Sequence, residues 1–270
     1  MKMKVKDSQG ISLNILKIVT NICEKQNLNY YLMYGTLIGA VRHHGFIPWD
    51  DDIDIMMPRK DYDVLIKFLK ENPSELHGME IFNPDFCKDY PYMITRISNP
   101  NYKIEMDNEY PYGMGIFIDI YPFDGVGDKL SDALKIEHKG DILSSLCYLA
   151  TRKHFSKENT KGVAKILVKF PAFILAKFLG KDFFQNRLSR LSNKNFYSSK
   201  YVCCVTWASG GKKDIYERKW FDRYTYMNFE NYRFRVPLDY NNVLKHAYGD
   251  YMKLPPVKER MGHHFYNVSI

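Results

Sequence analysis

The sequence predicts a protein of the α+β / α/β class, built on a mixed sheet flanked by helices, with a helical insertion and a mixed C-terminal part. Three observations predict it. Helical and strand patterns alternate over the first 71 residues, four strand-like segments follow up to residue 121, and the pattern is then helical to about residue 195. The corresponding division is a core over 1–129, a helical segment over 130–199, and a C-terminal part over 200–270 that is expected to complete the site of the core.

Each element has a local reason. In 8–29, Ile11, Ile15, Ile18, Val19 and Ile22 share one helical face, with Lys17 and Glu24 off it. Tyr30 to Tyr34 is a short strand pattern ended by Gly35, and 36–43 is a short helix opening on Thr36 as its cap. Gly45 and Pro48 turn the chain into a strand over 52–57. Residues 61–71 then form an amphipathic helix on Tyr62, Leu65, Ile66 and Leu69. Strands are expected at 79–82, 92–98, 102–106 and 115–121, and a late helix near 239–248; no regular repeat is present.

Composition narrows the function classes. At 270 residues and 45% apolar content the chain can bury a substantial core. Aromatic residues make up 15%, most of them core filling by expectation. Thirty-nine basic side chains face 31 acidic ones, and the net charge of +8 suits anionic partners or simply solubility. Five cysteines without C-x-x-C spacing argue against a disulfide framework or structural zinc and for a reducing compartment. The first residues lack a signal-peptide pattern and no stretch has the uncharged length of a membrane span. The protein therefore reads as cytoplasmic, with the inner face of the membrane as the place for any peripheral contact.

That contact concerns 163–180, where apolar residues are interleaved with Lys165, Lys169 and Lys177 around Pro171. One reading is a basic amphipathic helix on an anionic membrane. The other is a kinked helix covering the catalytic domain, and Pro171, which would interrupt a continuous stripe, favours it.

The chemistry concentrates in Asp50-Asp51-Asp52-Ile53-Asp54. Apolar residues bracket this run, and alternation sets Asp50, Asp52 and Asp54 on one face of an extended segment, with Asp51 on the other. Carboxylates so close repel one another unless a cation neutralises them. Side chains at i and i+2 are roughly 6–7 Å apart, close enough to meet at one hard cation or to hold two. Magnesium takes a few carboxylates and completes its shell with water and phosphate oxygens, the arrangement phosphoryl transfer uses. Asp119, a single acid in the apolar strand 115–121, is the candidate third carboxylate; its structural alternative is a hydrogen-bonded turn acid before Pro122. Gly35-Thr36, between a strand and a short helix, offers backbone N–H groups to a phosphate.

Strand, Gly-Thr, helix and then Asp52-Ile53-Asp54-Ile55 is similar to the core of the nucleotidyltransferase fold. The longer stretch from Tyr34-Gly35-Thr36 through Arg42-His43-His44-Gly45-Phe46-Ile47-Pro48-Trp49 to Asp50–Ile55 resembles the signature of the LicD family. That family includes bacterial phosphorylcholine transferases, with the fukutin-related ribitol-phosphate transferases as distant relatives. Phe117–Gly125 resembles its second acidic block, and Tyr248–Pro256 with Arg260 and His263-His264 its C-terminal block. The likeness runs from about residue 20 to the end and is weak between 130 and 200.

The resemblance implies a nucleotidyltransferase-like fold and an enzyme that moves a substituted phosphate, by default phosphocholine, from a CDP-activated donor such as CDP-choline. The acceptor would be a hydroxyl of a lipopolysaccharide, teichoic acid or other surface-glycan precursor, and CMP would be released. Carried over by position, Asp52 and Asp54 would hold Mg2+ or Mn2+ with Asp50 beside them, and Asp119 would be the third ligand or the base. Gly35 and Thr36 would face the donor phosphates. Arg42 suits a diphosphate clamp. Arg96 stands between a substrate contact and a surface strand arginine, and His263 between a nucleotide or acceptor contact and plain surface. Two other classes stay open: a nucleotidyltransferase releasing pyrophosphate, and an anionic-surface or nucleic-acid binding module. No nucleic-acid-reading motif is present, so no nucleic-acid partner is expected.

Overall fold

The computed structural model describes residues 3–105, 108–110, 112–155, 163–192, 196–260 and 267–269. The chain opens with helix α1 (Val5–Lys25), whose Ile15, Leu16, Val19 and Ile22 enter the main core. Strand β1 (Tyr31–Leu32) leads into α2 (Tyr34–Ile38), which continues as a π-helical turn over Gly39–His43 and stops at His44, φ +57°. Strand β2 (Asp54–Pro58) and helix α3 (Arg59–Glu71) follow, then β3 (Glu80–Phe82), β4 (Thr95–Glu105) and β5 (Gly115–Gly127).

The main sheet has eight strands, with β1-β2-β5-β4-β10 as its path, where β10 is Asn267–Ser269. Strand β3 adds to β4, and β6 (Tyr201–Cys203) and β7 (Tyr216–Glu217) extend from the far end of β5. Only β2 and β5 run parallel among these pairs. Both are buried almost throughout, which is why they read as continuous apolar runs rather than alternating ones. Each fully buried aliphatic side chain there contributes about 1.5–3 kcal/mol. Helix α3 packs Tyr62, Leu65, Ile66 and Leu69 onto the core. Its first residue, Arg59, donates from Nε and Nη2 to the two oxygens of Asp124 near the end of β5, both at 2.8 Å.

The α+β class is as predicted, but the helix expected to open on a Thr36 cap starts at Tyr34, with Met33 as its cap residue and Thr36 inside it. Three further differences have local reasons. The two strands expected at 92–98 and 102–106 are the single strand β4, because a register shift between Asn99 and Lys103 takes up Pro100. Strand β5 runs on through Pro122, which falls between the last β4 pair (Thr95–Ile120) and the first β6 pair (Asp124–Cys203), so that edge needs no ladder donor there. Strand β2 begins at Asp54, not at residue 52, so Asp50 and Asp52 precede the strand.

The helical segment comprises α4 (Leu130–Thr151), α5 (Val163–Leu179) and α6 (Lys181–Ser192), packed on one another. Helix α5 runs through Pro171, which removes one amide hydrogen bond without ending the helix, and it rests on α4 and α6 rather than over the catalytic strands. A hairpin of β8 (Tyr224–Phe229) and β9 (Tyr232–Pro237) and helix α7 (Tyr240–Tyr248) complete the C-terminal part. Among the described residues no helix is long and apolar enough to cross a membrane.

Candidate active site

Three adjacent strands carry a row of charged side chains. Asp54 at the start of β2 is level with Asp119 of β5, and Asp119 is level with Arg96 of β4. Parallel pairing of β2 and β5 thus brings together two acids 65 positions apart in sequence. Arg96 Nε donates to Asp119 Oδ1 at 2.7 Å, and both side chains are buried. Burial works against the Arg96 charge, but Asp119 more than offsets that and holds the guanidinium charged. The guanidinium also lies over the rings of Phe117 (4.2 Å) and Tyr92 (4.8 Å).

Asp54 is the most electrostatically stressed group of the row. Burial, then the neighbouring carboxylates Asp52, Asp119 and Asp50, push its proton affinity well above the usual carboxylate range, against a hydrogen bond from the Tyr121 hydroxyl. Tyr121 is itself braced by the Tyr34 ring, edge-on at 5.2 Å.

The acids open onto a cavity of about 460 Å3. Asp50, Asp52 and Asp54 line one part of it, so they share a side of the chain although only Asp54 lies in the strand. Arg42 and Lys253 line another part, and Tyr34, Trp49 and Tyr248 supply aromatic walls. Two backbone features seat the acids. A Cβ on Gly35 would lie 2.7 Å from Asp50 Oδ2, so only glycine lets that carboxylate approach so closely. Gln9 Nε2 donates to the Asp50 carbonyl at 2.7 Å, tying the acidic loop to α1.

The LicD/FKTN/FKRP nucleotidyltransferase-domain model matches residues 27–153. The lipopolysaccharide cholinephosphotransferase LicD of Haemophilus influenzae is 32% identical over 277 aligned positions, covering 100% of this chain and 99% of that protein. The chain belongs to the LicD family of phosphotransferases. Uncharacterized proteins of Rickettsia prowazekii and Rickettsia typhi are 39% and 38% identical over 61 residues, 22% of this chain and 23% and 20% of theirs.

In this LicD-family enzyme the residues named from the sequence fall into three groups. Gly35, Arg42, Asp50, Asp52 and Asp54 meet at the cavity. Thr36, Asp119 and Arg96 stand behind it. The Thr36 hydroxyl oxygen accepts the Asp54 backbone N–H at 2.8 Å, so it anchors the start of β2, while Arg96 faces Asp119. His263, with His264, lies outside the described residues. Arg42 Nη1 donates to the Tyr251 carbonyl at 2.6 Å, and burial and the nearby Arg260 lower its proton affinity, the condition of a cation that an anion would relieve. Arg260 in turn lies 5.5 Å over the Trp49 ring.

Among the described residues no group of three or more His, Cys, Asp or Glu side chains is placed to hold a metal ion. Asp50, Asp52 and Asp54 do line the cavity together, and carboxylates are the donor type that a hard divalent cation takes beside water and phosphate oxygens. The crowding that raises Asp54 is what such a cation would neutralise.

Sequence reasoning gave no role to Tyr121, although it stands at i+2 from Asp119, on the same face of an extended strand. Tyr248, Asp250 and Lys253 belong to the block singled out near the C-terminus, and only folding assigns them to the cavity wall. Glu230 carried no signal. It sits at the β8–β9 turn, where its Oε1 accepts the Phe46 N–H at 3.1 Å and its own N–H donates to the His44 carbonyl at 2.8 Å. A Cβ on Gly45 would collide with that carboxylate, so the hairpin clamps the loop leading to the acids.

Proposed function

We propose that this enzyme transfers phosphocholine from CDP-choline to a hydroxyl of a lipopolysaccharide, teichoic acid or other surface-glycan precursor and releases CMP, using Mg2+ or Mn2+. The observation that carries the reading is one cavity with an acidic wall, Asp50, Asp52 and Asp54, and a basic one, Arg42 and Lys253. A nucleoside diphosphate ester needs both, a cation site for its phosphate oxygens and fixed positive charge for the rest. The end-to-end relative named as a lipopolysaccharide cholinephosphotransferase supports the choice of carried group and acceptor.

In this mechanism Asp52 and Asp54, with Asp50 beside them, would hold the cation, whose charge would be available to offset that of the diphosphate oxygens and of the departing CMP. Arg42 orients the diphosphate through its planar fork. The acceptor oxygen forms a bond to the β-phosphorus as the bond from that phosphorus to the bridging oxygen breaks, and CMP leaves with that oxygen. Asp119, or a carboxylate next to it, takes the hydroxyl proton, and the hydrogen bond from Arg96 holds Asp119 in place.

The test is a panel of CDP-choline, CDP-ribitol and CDP-glycerol with either metal, scored for CMP with and without a glycan acceptor, beside CTP scored for pyrophosphate. Acceptor-dependent CMP from CDP-choline is expected. Pyrophosphate from CTP without CMP from any CDP donor would replace the reading with nucleotidyl transfer.

A further inference from the structure

The described part of helix α5 packs mainly with one face, although Phe170 also meets the Phe155 ring edge-on at 5.3 Å. Phe173 and Ala176 are buried against the α4–α6 pair, in a cluster with Cys147, Phe184 and Leu188. The opposite face carries Phe170, Ile174, Leu175 and Phe178, with exposures of 47%, 51%, 52% and 86%. Residues 170, 174 and 178 follow one another at helical i+4 spacing, so they form a continuous outward stripe. An apolar patch of this kind on a soluble surface marks an interaction site.

Charge says what covers it. Residues 152–181 contain eight Lys and Arg and a single acid, Glu158, so nearly all of the chain's net charge of +8 is concentrated in that segment. On α5 itself Lys169 and Lys177 are exposed, and the helix carries no acid. Arg152 and Lys181 of that segment are ion-paired with Glu109 and Asp182, and Lys153, Lys169 and Lys177 are exposed. A second copy carrying the same cations would be repelled, whereas an anionic lipid surface attracts them. The helix has 17 residues, and among the described residues no helix is long and apolar enough to cross a bilayer, which leaves α5 contact along a bilayer surface rather than a span.

We propose that α5 docks this enzyme onto an anionic bilayer, with Phe170, Ile174, Leu175 and Phe178 in the boundary between headgroups and acyl chains and the lysines among the headgroup phosphates. Helices α4 and α6 hold the buried face of α5 and fix its orientation, so the stripe is presented before contact.

The experiment is co-sedimentation of the full chain with vesicles of phosphatidylcholine alone and of phosphatidylcholine mixed with phosphatidylglycerol. Binding to the mixed vesicles is expected, falling as salt is raised. A Phe170→Ser/Phe178→Ser variant and a Lys169→Gln/Lys177→Gln variant should each weaken it by about tenfold or more, with turnover of soluble donor and acceptor unchanged. The lysine variant gives up the contact of Lys177 with the Phe173 ring (5.7 Å) but keeps the buried Phe173 and Ala176, so it tests the proposal even where the serine variant loosens the helix. Equal binding by wild type and both variants, no sedimentation with anionic vesicles, or a wild-type dimer that the serine variant makes monomeric would overturn it. The vesicle readout does not depend on which donor the active site takes.

Discussion

The Nε of Arg96 donates to Oδ1 of Asp119 at 2.7 Å in the interior of the sheet, directly behind Asp54. Removing one partner of such a pair strands the other as an uncompensated buried charge. Arg96→Ala is expected to lower stability by about 3–5 kcal/mol. Arg96→Lys keeps the charge but loses the flat stacking between Tyr92 and Phe117, and should cost about 1–2 kcal/mol. Urea unfolding of the three proteins checks this, and equal losses for Ala and Lys would rule out the charge as the main contribution.

Asp54 should show the opposite balance. Its carboxyl is held above the usual range by burial and by Asp52, Asp119 and Asp50. A folded value above the unfolded one means that metal-free stability falls as pH rises from about 4 towards the folded value. Asp54→Asn removes that penalty. Without metal at pH 8 the variant should be at least as stable as wild type, while metal-dependent CMP release falls by roughly 100-fold or more, given the several kcal/mol a catalytic cation supplies. Asp52→Asn should lose activity similarly. Full activity in either variant would end the metal-site reading.

Gly35 permits the approach of Asp50. Its backbone is helical and the atom a Cβ would meet, 2.7 Å away, is the tip of a side chain, so Gly35→Ala is expected to fold with a stability change within about 1 kcal/mol. The displaced carboxylate should raise the metal concentration needed for half-maximal turnover, read by titrating Mg2+ at saturating donor. An unchanged metal requirement would remove Asp50 from the site.

The Arg59–Asp124 pair supplies a pH signature distant from the cavity. Burial pushes the Asp124 carboxyl up to about 6, against the pull of Arg59. The folded state therefore binds more protons than the unfolded one between about pH 4 and 6, and stability falls as pH rises across that window. In Arg59→Ala nothing opposes the burial, so the same fall continues to higher pH. The stability gap between wild type and variant, measured by chemical denaturation, should be wider at pH 8 than at pH 5, and a gap independent of pH would show that Asp124 is not the titrating partner.

The amino-acid sequence by itself determined the local half of this protein. The periodicity of Ile15, Val19 and Ile22 specifies α1, and the apolar runs around Asp54 and Asp119 mark them as acids in buried strands. Alternation puts Asp50, Asp52 and Asp54 on one side, and the stretch from Tyr34 to Ile55 carries the family. These are relations among residues a few positions apart, which backbone geometry alone dictates. Tertiary structure decided the rest. Register between β2, β5 and β4 made Asp54, Asp119 and Arg96 neighbours across 23 and 65 positions, and turned Arg96 towards Asp119. Chain return brought Arg42 to Tyr251, Lys253 to the cavity and Glu230 to the loop before the acids. Such contacts depend on which strands pair and which loops close. That choice is made by burial of the whole core, so no short window of sequence records it.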